Sequence, residues 1–396
     1  MNTAYAGSDQ KTSKIDKNLV ARNTRFALNI LKELQKEDER KNIFISPQSI
    51  SIALVMVYNG AEGLTRDSIA ETLQIKEMSL TEVNEGYRNL IGSLENVESQ
   101  VSLNMGNSIW IRKSFEPSVK IGFKDALTTY FRSEILPRQF SDPKTVDEIN
   151  AWVKRETTGK IDKIIDNIDR GALLFLISAI YFKGEWAKKF DDSKTRQRSF
   201  YLQNGKKLSV AMMSNVEELL YYSDDGVQVA RLPYGRDKLA MYVLLPKEGV
   251  NLDSFIQTLE QEKLDGLIAR MNMIEIELQL PKLKLEYGKK QLNGALIRLG
   301  MGVAFDRESA DLKGIASVGP ENLSISSVDH KAVVEVSEKG TEAAAVTTIG
   351  IRSAQMQITT HRFVVNRPYL FLIRDDRSGS ILFMGKILDP TQRISP

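Results

Sequence analysis

Hydrophobic and polar positions recur along this chain with two different periods. Leu19, Val20, Phe26, Ala27, Ile30, Leu31 and Leu34 return at spacings of three and four, which predicts a helix with one buried face. Residues 1–16, beginning MNTAYAGSDQ, are small, polar and unpatterned, and read as a flexible tail. A second helix is predicted from Pro47, which follows Ser46 and suits a first helical position. Its face is Ile50, Leu54, Val57 and Tyr58, and Gly60 and Gly63 are expected to end it. Further on the period shortens to two. Ile274, Ile276, Leu278 and Leu280 alternate with Glu275, Glu277 and Gln279 up to Pro281, the pattern of a half-buried strand. LAMYVLL (Leu239–Leu245) and SILFM (Ser380–Met384) are nearly continuous apolar runs, as in strands covered on both faces. Helical signals come first and strand signals cluster late. That order predicts one α+β domain over 17–396 and argues against a doubly wound sheet.

Composition narrows the function classes. The 396 residues are 42% hydrophobic and 27% charged, with a net charge of +3. So small an excess gives no case for nucleic acid or an anionic membrane as a main partner. No stretch reaches the roughly 18 apolar residues that span a bilayer. There is no cysteine, which excludes disulfides, thiolate metal sites and a cysteine nucleophile together. The two histidines, His330 and His361, cannot build a usual zinc site without carboxylates. No G-x-S-x-G elbow is present. Gly314 and Gly319 have phosphate-loop spacing, but Pro320 stands where that motif needs lysine. No enzyme activity, metal or cofactor is expected.

The most informative residues lie near the C-terminus. EKGTEAAAVTT (Glu338–Thr348) passes from a charged turn into small side chains, and IGIR and NRPYLFLIR (Asn366–Arg374) follow. Small side chains can enter a closing space in a packed sheet, where bulk or unpaired charge would be expelled. Laid down as a strand, the segment puts Thr341, Ala343, Ala345 and Thr347 on one face and Glu342, Ala344, Val346 and Thr348 on the other. The uncharged set can face the core, the one charge falls outward, and Gly340 supplies a pivot.

NIFISPQS (Asn42–Ser49), NSIWI (Asn107–Ile111), NAWVKRETTGKIDKII (Asn150–Ile165) and AIYFKGEW (Ala179–Trp186) occur in that order. LPY (Leu232–Tyr234), LPKL (Leu280–Leu283), LGM (Leu299–Met301) and DHKAV (Asp329–Val333) follow them. With the two C-terminal segments, these resemble the serpin family of serine protease inhibitors from about Asn18 onward. The resemblance implies helices around three β-sheets, the central one able to accept a further strand from an exposed reactive-centre loop over about 338–362. It implies a suicide inhibitor of an elastase-, subtilisin- or trypsin-like serine protease, monomeric, prone to loop–sheet polymers and expected outside the cell. Counting sixteen residues on from Glu338, as in inhibitory relatives, places the reactive bond at Ala354-Gln355. The stretch from Ala354 to Pro368 is about three residues longer than in the best-known relatives, which leaves Arg352 and Met356 as alternatives.

The hinge would be Glu338, Gly340, Thr341, Glu342, Ala343, Ala344, Ala345, Val346 and Thr347. Ser46, Ser49, Ser178 and His330 match the family's shutter, a polar cluster where the strands part, and Trp186 matches the breach at the top of the sheet. Ser46 and Ser49 lie three apart and can share one side of a helix turn. His330 can donate and accept at once, linking hydroxyls across the gap. Ser178 stands where the family usually has asparagine, so a differently wired shutter, or one bridged by water, is expected. Leu283 and Tyr369 stand where phenylalanine is usual. Lys76–Asn96, the segment that carries heparin sites in some relatives, holds Lys76 and Arg88 against Glu77, Glu82, Glu85 and Glu95. A polyanion cofactor is therefore not expected there. The rival reading is a non-inhibitory serpin, acting as a carrier, chaperone or storage protein. Such proteins tend to put proline, charge or bulk into the region of Thr341–Thr348, and this chain does not.

Overall fold

The computed structural model describes residues 15–94, 100–317, 322–341 and 361–392. Its longer helices are α1 (Lys17–Glu37), α2 (Pro47–Tyr58), α3 (Gly63–Thr72), α4 (Leu80–Leu94), α5 (Ile121–Phe131), α6 (Lys144–Glu156), α7 (Leu252–Gln257) and α8 (Gln261–Ala269), and a kinked helical stretch covers 293–305. The first strands are β1 (Ile43–Ile45), β2 (Val101–Arg112), β3 (Ile135–Arg138), β4 (Leu174–Glu185) and β5 (Arg196–Tyr201). Then come β6 (Lys207–Ser223), β7 (Val227–Tyr234), β8 (Leu239–Pro246), β9 (Asn272–Pro281) and β10 (Leu283–Gln291). The chain ends with β11 (Ile325–Ser337), β12 (Gly340–Thr341), β13 (His361–Val364), β14 (Tyr369–Asp375) and β15 (Ile381–Ile387).

The α+β mixture is as expected, but strands are not confined to the later part of the chain: β2 is twelve residues long and precedes α5. Its polar residues, among them Ser102, Asn104 and Asn107, break the apolar run that marks β8 and β15. The first helix is stopped at its start by Asp16, whose carboxylate accepts from the Asn18 and Leu19 N–H groups. The second begins at Pro47, with Ser46 as its cap. Gly60 lies beyond its end, whereas Gly63 opens α3 and does not close α2. The expected apolar face of α2 also understates its environment, because every residue from Pro47 to Tyr58 is buried. The cause is tertiary: α2 packs on β15 on one side and on β2 and β4 on the other.

Two hydrogen-bonded networks are present among the described residues. One runs β1-β15-β14-β8-β7-β6-β9-β13, with β5 joined to β6. The 17-residue β6 pairs first with β5, then with β9, and with β7 only at its end. It is thus shared by the second and third of the expected sheets. The other network is the six-strand sheet β10-β11-β12-β4-β2-β3. Alternate residues of β4 face opposite cores. Leu174, Leu176, Ile180 and Phe182 join the main core, and Phe175, Ile177 and Ala179 join a smaller one with Ile149 and Val153 of α6. The sheet centre is therefore covered on both faces.

Candidate functional site

The site is the seam between β4 and β11. In its lower part the two strands pair directly and in parallel, from Leu174 opposite Ile325 to Tyr181 opposite Val333. Ser178 lies opposite His330 on one side and opposite Asn107 of β2 on the other. One lateral row across three strands thus carries three polar side chains, and the start of α2 packs against it.

The hydrogen bonds of this row have a fixed direction. The Ser46 N–H donates to Nε2 of His330 at 3.1 Å, so that nitrogen must be unprotonated and the proton sits on Nδ1. Nδ1 faces both the hydroxyl and the carbonyl of Ser178, each at 3.1 Å. The Ser49 hydroxyl donates to Oδ1 of Asn107 at 3.1 Å, which leaves Ser178 to donate to Ser49 at 2.7 Å. The chain of donors therefore runs Ser46 N–H, His330, Ser178, Ser49, Asn107. Ser46, Ser49, Ser178 and His330 have no solvent exposure. Burial pushes the imidazole pKa down to about 4, against a smaller upward pull from the Ser178 carbonyl. A second proton would also set a donor against the Ser46 N–H.

One expectation changes here. His330 reaches the backbone of Ser46, not its hydroxyl, because that hydroxyl caps α2 by accepting the Ser49 N–H at 3.2 Å. The short Ser178 side chain is wired differently, as one of the two alternatives had it: Asn107 brings an amide from the neighbouring strand, reached through Ser49. Sequence reasoning did not assign Asn107 to the cluster. The signal was NSIWI, but only strand register brings Asn107 beside Ser178.

Higher up, the seam is parted. Gly340 and Thr341 form β12, antiparallel to both neighbours, with Thr341 opposite Val336 and Gly184 and Gly340 opposite Ser337 and Glu185. Gly340 has φ +143°, and a Cβ there would stand 2.2 Å from the Gly184 carbonyl oxygen. Both facts demand glycine. Thr341 is fully buried and its hydroxyl meets that of Tyr234 at 2.7 Å. Trp186 stacks on Tyr234 with ring centroids 4.5 Å apart, and its indole N–H donates to the Ser337 carbonyl at 2.9 Å. The Trp186 backbone N–H donates to the Lys339 carbonyl at 3.0 Å. Glu338 is anchored beside them. Its carboxylate accepts from Thr195 at 2.8 Å and pairs with Lys282 at 2.8 Å. Burial alone would raise the pKa of that carboxyl; Lys282 and the hydrogen bonds outweigh it and hold the pKa below the usual value. Tyr234, Lys282 and Thr195 are further residues that sequence reasoning did not assign. Glu342, Ala343, Ala344, Ala345, Val346, Thr347, Arg352, Ala354, Gln355 and Met356 lie outside the described residues.

A parted mixed sheet fits the central sheet that the resemblance implied, but Gly340 and Thr341, expected in an exposed loop from about 338, are instead buried between its strands because both pair with β4 and β11. The family model for serpins (serine protease inhibitors) matches residues 21–390. The chain is a serpin. Among its relatives, Iripin-5 of Ixodes ricinus is 34% identical over 92% of this serpin and 93% of its own length. The structure is similar to that of tengpin, a thermophilic serpin solved in its native state, with TM-score 0.88 and 30% identity over 95% of each chain. It is also similar to human thyroxine-binding globulin in complex with its ligand, with TM-score 0.86 and 30% identity over 95% of this serpin and 99% of that protein. A solved structure with this fold thus holds a small molecule.

Proposed function

We propose that this serpin is a single-use inhibitor that traps a serine protease as a covalent acyl-enzyme. The observation that carries the reading is β12, two residues of the proposed hinge already lodged where a whole strand would go. In the proposed mechanism a protease serine attacks the carbonyl of Ala354, or of Arg352 or Met356, and the bond to the next residue breaks. Freed at that end, the loop extends β12 downward between β4 and β11. About 15 residues at roughly 3.3 Å each carry the attached enzyme on the order of 50 Å. The displaced acyl-serine loses its histidine and oxyanion hole, so hydrolysis stalls. Loop insertion of this kind is an established class of switching transition.

The geometry states what insertion must break. Starting at Val333 and Tyr181, the direct β4–β11 pairing opens, and the His330–Ser178 bonds are lost with it. The first turn of α2 holds both sides, through Ser46 on His330 and Ser49 on Ser178. The uncut protein is then a kinetic trap, held by a lock between two strands that have a better partner waiting. An extracellular setting and a monomeric state belong to the same proposal, and polymers are its expected failure mode, because another copy's loop could fill the same gap.

The rival is a non-inhibitory carrier, which the likeness to thyroxine-binding globulin supports. Incubation with a panel of elastase-, subtilisin-, trypsin- and chymotrypsin-like enzymes separates the two. An SDS-stable complex is expected, and mass spectrometry of the released C-terminal peptide identifies the bond. Clean cleavage by every active protease, with no complex, would reject the inhibitor and favour the carrier.

A further inference from the structure

Between Ser193 and Val216 the chain has five cations, Lys194, Arg196, Arg198, Lys206 and Lys207, and no aspartate or glutamate. In a chain of 54 basic and 51 acidic residues this is a local excess that the net charge conceals. The fold turns the segment into the β5–β6 hairpin, with Tyr201 opposite Lys207 and Arg198 opposite Val210. Among the described residues the Arg198 guanidinium and the Lys206 ammonium have no hydrogen-bonding or ion-pair partner, and Lys207 lies only against the Tyr201 ring. Arg198 edges a groove of about 470 Å³ whose other walls include Ser199, Tyr201, Ser209, Arg362 and Asn366. Arg362 is paired with Glu277, so the groove itself offers little negative charge to Arg198.

The position of this groove matters. Arg362 belongs to β13, the first described strand after the proposed reactive bond. His361 is six residues beyond Gln355, a reach of at most roughly 20 Å. A protease domain of about 250 residues has a radius of gyration of roughly 18 Å. One that holds the proposed reactive bond must therefore overhang β13 and the hairpin beside it. We infer that the β5–β6 hairpin and its groove form a secondary docking surface for the target protease, selecting an enzyme with carboxylates on the rim beyond its active site. This rests on the inhibitor reading. Its physical basis is unpaired cations facing the approaching partner, which raise the encounter rate and orient the encounter.

The test uses the full chain carrying Arg198→Glu, Lys206→Glu and Lys207→Glu together. Two elastase-like proteases are compared, one with an acidic surface and one with a basic surface. At low ionic strength the triple variant is expected to associate at least tenfold more slowly with the acidic enzyme, and no more slowly with the basic one. The gap should close as salt rises, and the number of inhibitors consumed per enzyme should not change. Equal slowing with both enzymes, or none with either, overturns the inference. So does loss of heparin binding by the variant with unchanged protease rates, which would assign the cations to a polyanion. If no protease forms a covalent complex even with the unaltered chain, the inhibitor reading has failed. The surface is then read separately by equilibrium binding to the acidic protease with its serine replaced by alanine. Weaker binding by the triple variant supports the docking surface, and equal binding overturns it.

Discussion

Below Val333, β11 lies directly against β4; above it, the same two strands stand apart with β12 between them. The two halves of one seam are held by different chemistry. The upper half is filled by backbone, with Thr341 under Tyr234 and Trp186 and with Glu338 tied to Lys282 and Thr195. The lower half is closed by strand pairing and by a directed chain of hydrogen bonds that starts at the Ser46 N–H, passes Ser49 of α2 and ends on Asn107 of β2. A buried polar chain is stable only while every member is satisfied. It therefore resists opening until the strands move together, whereas a backbone wedge can lengthen one residue at a time. For the proposed insertion, the barrier is expected in the row of His330, Ser178 and Asn107, not at the top.

The comparison breaks most visibly if the wedge is given a side chain it cannot bury. Thr341→Arg places a cation where the hydroxyl now meets Tyr234. An unpaired buried charge costs several kcal/mol, so β12 should be expelled and the protein cut as a substrate. Strand phase sharpens this: Ala343→Arg should do the same, whereas Ala344→Arg, one residue along, should retain most inhibition. The number of inhibitors consumed per protease inactivated measures all three, and equal damage from the last two would show the phase to be wrong.

Next in size is the response of the lower half to acid. The unfolded chain binds a proton on His330 near pH 6.5, and the folded protein only near pH 4. Stability from this group is complete above pH 6.5 and is lost as pH falls toward 4, by roughly 3 kcal/mol. Melting curves across that window should show the loss in the native chain and a shallower one in His330→Gln. A slope that is the same in both would remove His330 from the account. At neutral pH, His330→Ala should cost roughly 1–3 kcal/mol by leaving the Ser46 N–H unpaired and removing the donor to Ser178. The lock would then open without cleavage, and polymers on mild heating, seen on a native gel, are the expected sign.

The smallest effect is expected at Tyr234→Phe, which removes one hydroxyl above Thr341 and leaves the Trp186 stack in place. It should cost about 1 kcal/mol and loosen only the wedge. Hydrogen exchange at the Thr341 and Trp186 amides should rise while that of β11 below Val333 stays constant. Faster exchange along the whole of β11 would mean that the two halves open as one unit.

The chain itself specified a good deal of this. Periodicity placed α1, α2, β8, β9 and β15, because each owes its pattern to one buried face or to full burial. The small side chains and single charge, Glu342, of Thr341–Thr348 marked the segment proposed to enter the sheet, and the order of short segments pointed to the family. The shutter serines and His330 were legible as residue types. Their wiring was not, because a hydrogen bond between residues 152 positions apart depends on strand register, and register is a property of the assembled sheet. Tertiary structure alone decided that Asn107 completes the row, that Ser46 spends its hydroxyl on capping α2, and that Gly340 must lack a side chain because the β4 backbone leaves no room. Local sequence sets which groups a strand can offer. Which of them meet is fixed only when distant strands close on one another, since a shift of one residue turns every side chain to the opposite face.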